Sequence, residues 1–187
     1  MKKDLRLVAA VTPMPVILIA TYNDDGTVDV MNAAWATAFD FKQVQLNISE
    51  EHKTTENIRR TKCFSIALAD LAHMAEADYF GIDSAKRVKD KFERTGLKAV
   101  KGSVVNAPIL EDFPLIMECE LIEGIPLEYG VIGEVKRLAV EEKFIDDNGK
   151  VDLAKMKIIA FDQINNSYNL VGEKVGQAFS VGKKYKK

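Results

Sequence analysis

Two apolar runs separated by Asn23-Asp24-Asp25-Gly26 place the first constraint on this chain. Residues 16–21 are apolar almost throughout, and residues 27–34 carry Val28, Val30 and Met31 among polar neighbours. Asp-Gly between two such runs favours a tight hairpin, because glycine accepts the positive φ that the turn demands. Before it, Thr12-Pro13-Met14-Pro15 is an extended lead-in, since each proline fixes its own φ and biases the preceding residue away from helix. The chain therefore begins as antiparallel β-structure with its first strand buried on both faces.

The same alternation continues. Residues 44–48 read as a strand and residues 49–60 open a helix. Residues 63–69 form a short apolar strand, and residues 71–81 have helical spacing with Gly81 as the stop. Residues 84–96 read as a short charged surface helix with Gly96 past its end. After a loop-rich stretch at 102–112, residues 114–125 and 131–145 are long strands, and Asp146-Asp147-Asn148-Gly149 closes a turn. Residues 152–157 fit one helical turn, residues 158–162 a short strand, and residues 168–172 lead to a polar end. No repeat or linker interrupts this order. It predicts one domain over residues 1–187, mainly β with inserted helices, built as a mostly antiparallel barrel.

Composition narrows the function. The 187 residues are enough for one sizeable core, and 47% hydrophobic content describes a globular chain. Lys plus Arg number 26 against 28 Asp plus Glu, a net charge of −2, which argues against a nucleic-acid surface. The N-terminus lacks a secretory h-region and the longest apolar run is too short to span a bilayer, so a cytoplasmic location without membrane contact is expected. Cys63 and Cys119 sit singly in apolar runs, and His52 and His73 have no partner at ligand spacing, so no metal site is expected. No phosphate-binding G-x-x-x-x-G-K-[ST] loop, G-x-G-x-x-G turn or G-x-S-x-G elbow occurs.

Two stretches carry chemistry. Ser49, His52, Lys53 and Thr54 crowd a helix opening, where free N–H groups and the helix dipole receive phosphate. The plainer alternative is that Ser49 or Thr54 is only an N-cap and His52 and Lys53 a solvated first turn. Asn32-Ala33-Ala34-Trp35-Ala36-Thr37-Ala38 is a run of small residues around the one Trp, which lets a flat group approach the backbone. Its alternative is a tightly packed strand end with a core Trp. A phosphate cradle, a small-residue strand end with a Trp and a barrel, without acid/base machinery, suit a phosphorylated cofactor that carries its own chemistry.

These residues resemble the flavin reductase-like, FMN-binding split-barrel family, and its flavoredoxin branch in particular. The resemblance runs through Pro13-Met14-Pro15-Val16, Asn32-Ala33-Ala34-Trp35, Ser49-x-x-His52-Lys53-Thr54-x-x-Asn57-Ile58 and Lys91-Phe92-x-x-Thr95-Gly96-Leu97. It continues through Tyr168-x-Leu170-x-Gly172 and Gly176-Gln177-Ala178-Phe179-x-x-Gly182-Lys183. It implies a homodimer of split barrels with one FMN per subunit. Ser49, His52, Lys53 and Thr54 would hold the phosphate, and Asn32, Ala33, Ala34 and Trp35 would line the isoalloxazine. Ala69 and Asp70 would reach the ribityl chain, Lys89 and Phe92 would cover the cofactor, and Tyr168 would come from the partner subunit. Where the family has hydroxyl side chains this chain has Ala33, Ala34 and Ala36, which leaves backbone N–H groups to contact the flavin edge. The implied activity is an oxidoreductase passing electrons from NAD(P)H through FMN to a flavin, ferric chelate or other acceptor, with no protein residue as catalyst. The alternatives are a flavoredoxin-type carrier fed by a protein donor, with a small-molecule or protein acceptor, and a non-enzymatic binding module.

Overall fold

The computed structural model describes residues 1–126 and 130–186. The first hairpin pairs β2 (Ile17–Tyr22) with β3 (Val28–Ala33). Gly26 takes φ +83° at its turn, where the Asn23 N–H donates to Thr27 O at 2.8 Å. β2 separates two cores. Leu18 and Ala20 enter one hydrophobic cluster, and Ile17 and Ile19 enter another, as the two-residue period of a strand requires.

The remaining elements are β1 (Met14–Pro15), β4 (Ala36–Asp40), β5 (Gln43–Leu46), α1 (Lys53–Thr61), β6 (Cys63–Leu68) and α2 (Met74–Ile82). They are followed by β7 (Ala99–Lys101), β8 (Pro108–Leu110), β9 (Leu115–Leu121), β10 (Val131–Val140), β11 (Ile159–Asp162) and β12 (Ser167–Leu170). Seven strands form one antiparallel sheet in the order β3-β2-β6-β9-β10-β5-β4. β1, β11 and β12 form a three-stranded sheet beside it.

This order forces the sheet to curl. β3 and β4 lie at opposite edges, yet only Ala34 and Trp35 join them. Flat, the edges would stand six spacings apart, about 29 Å. Three Cα steps span at most about 11 Å. The edges therefore meet at the Ala34-Trp35 corner, and the sheet forms the split barrel expected from the sequence. Ile17, Ile19, Leu46, Phe64, Ile66, Cys119 and Val131, drawn from five strands, pack together with Ile58 of α1 as one cluster. Phe80 of α2, Phe92 and Phe113 pack in the other cluster, against the opposite face of β2.

Several sequence expectations are corrected. The run 32–38 is not one strand end but two strands broken at the corner. The second helix begins at Met74 rather than 71, because the Asp70 carboxylate accepts the His73 N–H at 3.0 Å and starts the helix there. Residues 84–96 form separate turns and a short 3₁₀ turn at Glu93–Thr95, not one helix. Their backbone bonds alternate between three- and four-residue spacing, while Lys91 ties the segment to β3 and α2. The last long strand stops at Val140, where the Glu141 N–H turns to Pro114 O. The loop at 102–112 contains half of a small hairpin, β7 with β8.

One buried carboxylate fastens that hairpin to the barrel. Glu118 on β9 is fully buried and accepts from Ser103 Oγ, the Val104 and Val105 N–H groups, and Arg137 Nη1. Burial alone would raise its pKa, but the bonds from Val104, Arg137, Ser103 and Val105 outweigh it and hold the carboxyl down at about 2. A depressed folded pKa contributes stability that is complete above the unfolded value and fades as the pH falls toward the folded one. Glu118→Gln is therefore expected to lower stability by about 3 kcal/mol at pH 7. In urea melts the gap from wild type should narrow below pH 4.5 and close near pH 2. A gap unchanged between pH 7 and pH 3 would contradict this assignment.

Candidate functional site

α1 opens without a side-chain cap. His52 is its N-cap residue and makes no capping bond, while the Ser49 hydroxyl accepts the Glu51 N–H at 3.2 Å. The first turn of the helix thus presents its N–H groups and the positive end of its dipole. The helix is held by its polar face. Thr54 donates to Asp29 Oδ2 at 2.6 Å, and Asn57 donates to Thr21 at 3.1 Å and Asn23 at 2.9 Å.

This opening lines a cavity of about 200 Å³ together with Asp29 and Asn32 of β3, Gly81 and Ile82 of α2, and Asp83, Arg87 and Lys91. Lys91 is 4% exposed. Its ammonium donates to Val30 O and Phe80 O, both at 2.9 Å, and stands 5.6 Å from the centre of the Phe80 ring. Among the described residues no carboxylate oxygen lies within 4 Å of it. Burial pulls its pKa down, opposed by the charges of Asp29 and Asp83. Lys53 differs. Its ammonium is already paired with Glu56 at 2.7 Å and Asp24 at 3.5 Å, and the Glu56 bond raises its pKa against the effect of burial.

A second cavity of about 360 Å³ adjoins the first, with Met31, Asn32, Gly81 and Ile82 common to both. It is flatter and less polar. Ala33, Ala34 and Trp35 form one side, and Phe161 and Tyr168 another. Trp35 is 47% exposed, and its ring lies 6.4 Å from that of Phe161, which lies 6.1 Å from that of Tyr168. Asn32 is fixed by donating to Ala77 O at 2.8 Å. The Tyr168 hydroxyl donates to Asp78 at 2.7 Å, and burial together with that carboxylate pushes its pKa up to about 12. At neutral pH it is a neutral donor and no proton source. The two cavities form one cleft with a cationic end, lined by the buried Lys91, and an aromatic end.

Of the residues expected at the site, His52, Lys53, Thr54, Asn32, Ala33, Ala34, Trp35 and Tyr168 line this cleft. Tyr168 lines the second cavity of its own chain. Ser49 stands back from the cleft and shapes the approach to α1, its carbonyl accepting from Thr55. Ala69 is wholly buried between Val16 and Ile159. Asp70 is turned to His73, 2.9 Å from its ring. Lys89 is exposed, and Phe92 stacks on Phe80 in the core, 6.3 Å away. The Thr54 hydroxyl donates its hydrogen bond to Asp29, so toward a ligand that oxygen can only accept. Lys91 belongs to a stretch that carries the resemblance but has no role assigned by it, and Asp29 lies outside both stretches singled out for chemistry. Lys91 stands among Lys86, Arg87 and Lys89, and nothing in that run distinguishes the one cation that burial selects.

Among the described residues no cluster of three His, Cys, Asp or Glu side chains is placed to hold a metal. No described helix is long and apolar enough to cross a membrane.

Comparison with known proteins agrees with this geometry. The family profile described as "Flavin reductase like domain" matches residues 9–152. The flavoredoxin of Desulfovibrio vulgaris (Miyazaki F) has 33% identity and a TM-score of 0.92, over 98% of this chain and 100% of that one. The flavoredoxin of Methanosarcina acetivorans has 24% identity and a TM-score of 0.85, over 98% and 99%. An FMN-binding domain of a flavin reductases-like enzyme from Shewanella baltica has 20% identity and a TM-score of 0.75, over 90% and 91%. The last two likenesses are of fold. An uncharacterized protein of Aeropyrum pernix is 27% identical over 135 residues, 70% of this chain, and the chain spans about half of that protein's length.

Proposed function

This chain belongs to the flavin reductase like domain family, and from that premise we propose that it holds one FMN in the cleft and is an oxidoreductase, passing electrons from NAD(P)H to a flavin, ferric chelate or other acceptor. One observation carries the reading: a buried ammonium, Lys91, has no carboxylate within reach at the floor of a chamber that opens into an aromatic slot. A buried cation whose nearest carboxylates, Asp29 and Asp83, act on it only from beyond contact is costly, and a phosphate entering the chamber supplies a direct partner.

The residues divide the work by position. Lys91 and the uncapped first turn of α1 receive the phosphate, with His52, Lys53 and Arg87 at the rim. Asn32, Ala33, Ala34 and Trp35 line the slot for the isoalloxazine, where the small side chains leave backbone groups to make its polar contacts. The bound FMN supplies the redox chemistry itself. Tyr168 and Asp78 close the slot with a neutral hydroxyl, and no acid/base residue is asked of the chain.

The same reading includes a homodimer in the cytoplasm. Its support is apolar surface that one chain leaves bare. β4 ends the seven-stranded sheet, and Phe39 and Phe41, at its far end and in the turn to β5, are 53% and 104% exposed. Leu7 and Phe179 in the two terminal arms are 100% and 98% exposed. Such an edge invites a second copy. The Phe39→Asp, Phe41→Asp double variant is expected to sediment as a monomer under conditions where the parent is a dimer. Identical sedimentation of the two would remove this surface from the interface.

Anaerobic NADH or NADPH added to the FMN-loaded protein tests the activity. Bleaching of the flavin absorption bands is the expected result. The 33% identity with a flavoredoxin along nearly the whole chain favours a second reading, an electron carrier reduced by another protein. Bands that persist with both nucleotides would support that carrier in place of the reductase.

A further inference from the structure

The phosphate chamber holds a carboxylate that the reading above leaves without a task. Asp29 on β3 is 3% exposed and lines the chamber opposite the cations. Its Oδ2 is occupied, accepting from Thr54 at 2.6 Å and Thr21 at 3.3 Å. Its Oδ1 has no hydrogen-bond donor among the described residues. Facing Asp29 are Thr21 from β2, Lys53 and Thr54 from α1, and Lys91 from the 84–96 segment, while His52, Asp83 and Arg87 share the chamber wall.

An anionic oxygen open to a chamber built for an anion opposes the ligand unless a proton stands between them. We propose that Asp29 and a bound phosphomonoester share one proton, so that the site takes up a proton together with FMN. The inference rests on the FMN reading. The proton is supplied by solvent and lies between Asp29 Oδ1 and a phosphate oxygen, carried by either. No bond other than that O–H changes. Burial, the largest influence on Asp29, already raises its pKa against the opposing effects of Thr54, Lys91, Thr21 and Lys53, which makes this carboxylate a ready acceptor. The consequence is selectivity for a terminal phosphate, and an affinity that falls as the pH rises.

The test is FMN binding by fluorescence quenching between pH 6 and 8.5, for the wild-type chain and for Asp29→Asn. A phosphomonoester loses its second proton near pH 6, in both experiments alike. Above about pH 7, uptake of one proton makes the wild-type Kd rise toward tenfold per pH unit. Asp29→Asn, which needs no proton, is expected to change by less than about twofold over the same unit. Calorimetry of the wild-type chain at pH 8, in buffers of different ionisation enthalpy, counts the protons directly and does not depend on the variant folding. Close to one proton per FMN is expected, and none with riboflavin, which lacks the phosphate. Parallel pH curves with no proton taken up overturn the role of Asp29 and leave the FMN reading standing. No binding of FMN by the wild-type chain at any pH removes both.

Discussion

Lys91→Met is expected to weaken FMN binding by about 10- to 150-fold, equivalent to about 1.5–3 kcal/mol for a charge-assisted hydrogen bond. Methionine keeps much of the lysine stem's bulk and loses only the ammonium. Lys91 is the cation for which the argument is strongest, since its charge has two carbonyl partners and no carboxylate within 4 Å. Lys53 already shares its charge with Glu56 and Asp24, so a new anion gains less from it. Riboflavin separates an effect on the phosphate from a collapse of the cleft. The variant should bind riboflavin as the parent does and lose only the advantage of FMN. Equal loss for both ligands would mean that Lys91 supports the cleft through Val30 and Phe80 instead of meeting the phosphate.

A large loss of stability, by overpacking, is also expected at Gly133 on β10. A Cβ there would point into the Phe64 ring, 2.9 Å from its Cε1, and lie 3.4 Å from the Cys119 Cβ. Phe64 and Cys119 are both fully buried in the cluster shared by five strands, so the ring has no space into which to retreat. Gly133→Ala should therefore cost about 2–3 kcal/mol by overpacking, against a gain of under about 1 kcal/mol from the stiffer unfolded chain. The urea midpoint is expected to fall by about 0.5–1 M for a protein of this size. An unchanged midpoint would mean that the barrel interior is loosely filled at Phe64. Gly26 is a useful contrast, because a Cβ there meets nothing and only its φ of +83° resists substitution.

The features that could be read from the sequence are those fixed by neighbours along the chain. The Asp-Gly turn, the doubly buried first strand and the helix after residue 48 depend on local conformation and short periodicities. The small-residue run 32–35 and the trio His52, Lys53, Thr54 were legible for the same reason, and both meet in the cleft. What stayed hidden depends on distant packing. The corner at Ala34-Trp35 follows from strand order, which no local pattern states. Lys91 looks like one more solvated cation in a charged run until β3 and α2 close over it. Asp29 alternates along a strand edge like any exposed residue, yet α1 covers it through Thr54. Ala69 and Asp70 follow a strand as site residues often do, but Ile158 and Ile159 pair there and seal that end from the cleft.

The central claim is that the cationic chamber and the aromatic slot together hold one FMN. Titrating the flavin-free protein with FMN and, separately, with riboflavin tests it most directly, following flavin fluorescence. The expected result is a quench that saturates at one FMN per chain, with riboflavin bound at least about tenfold more weakly for want of the phosphate. Equal affinity for the two would contradict the phosphate chamber, and no saturable quench by FMN would contradict the cleft as a flavin site.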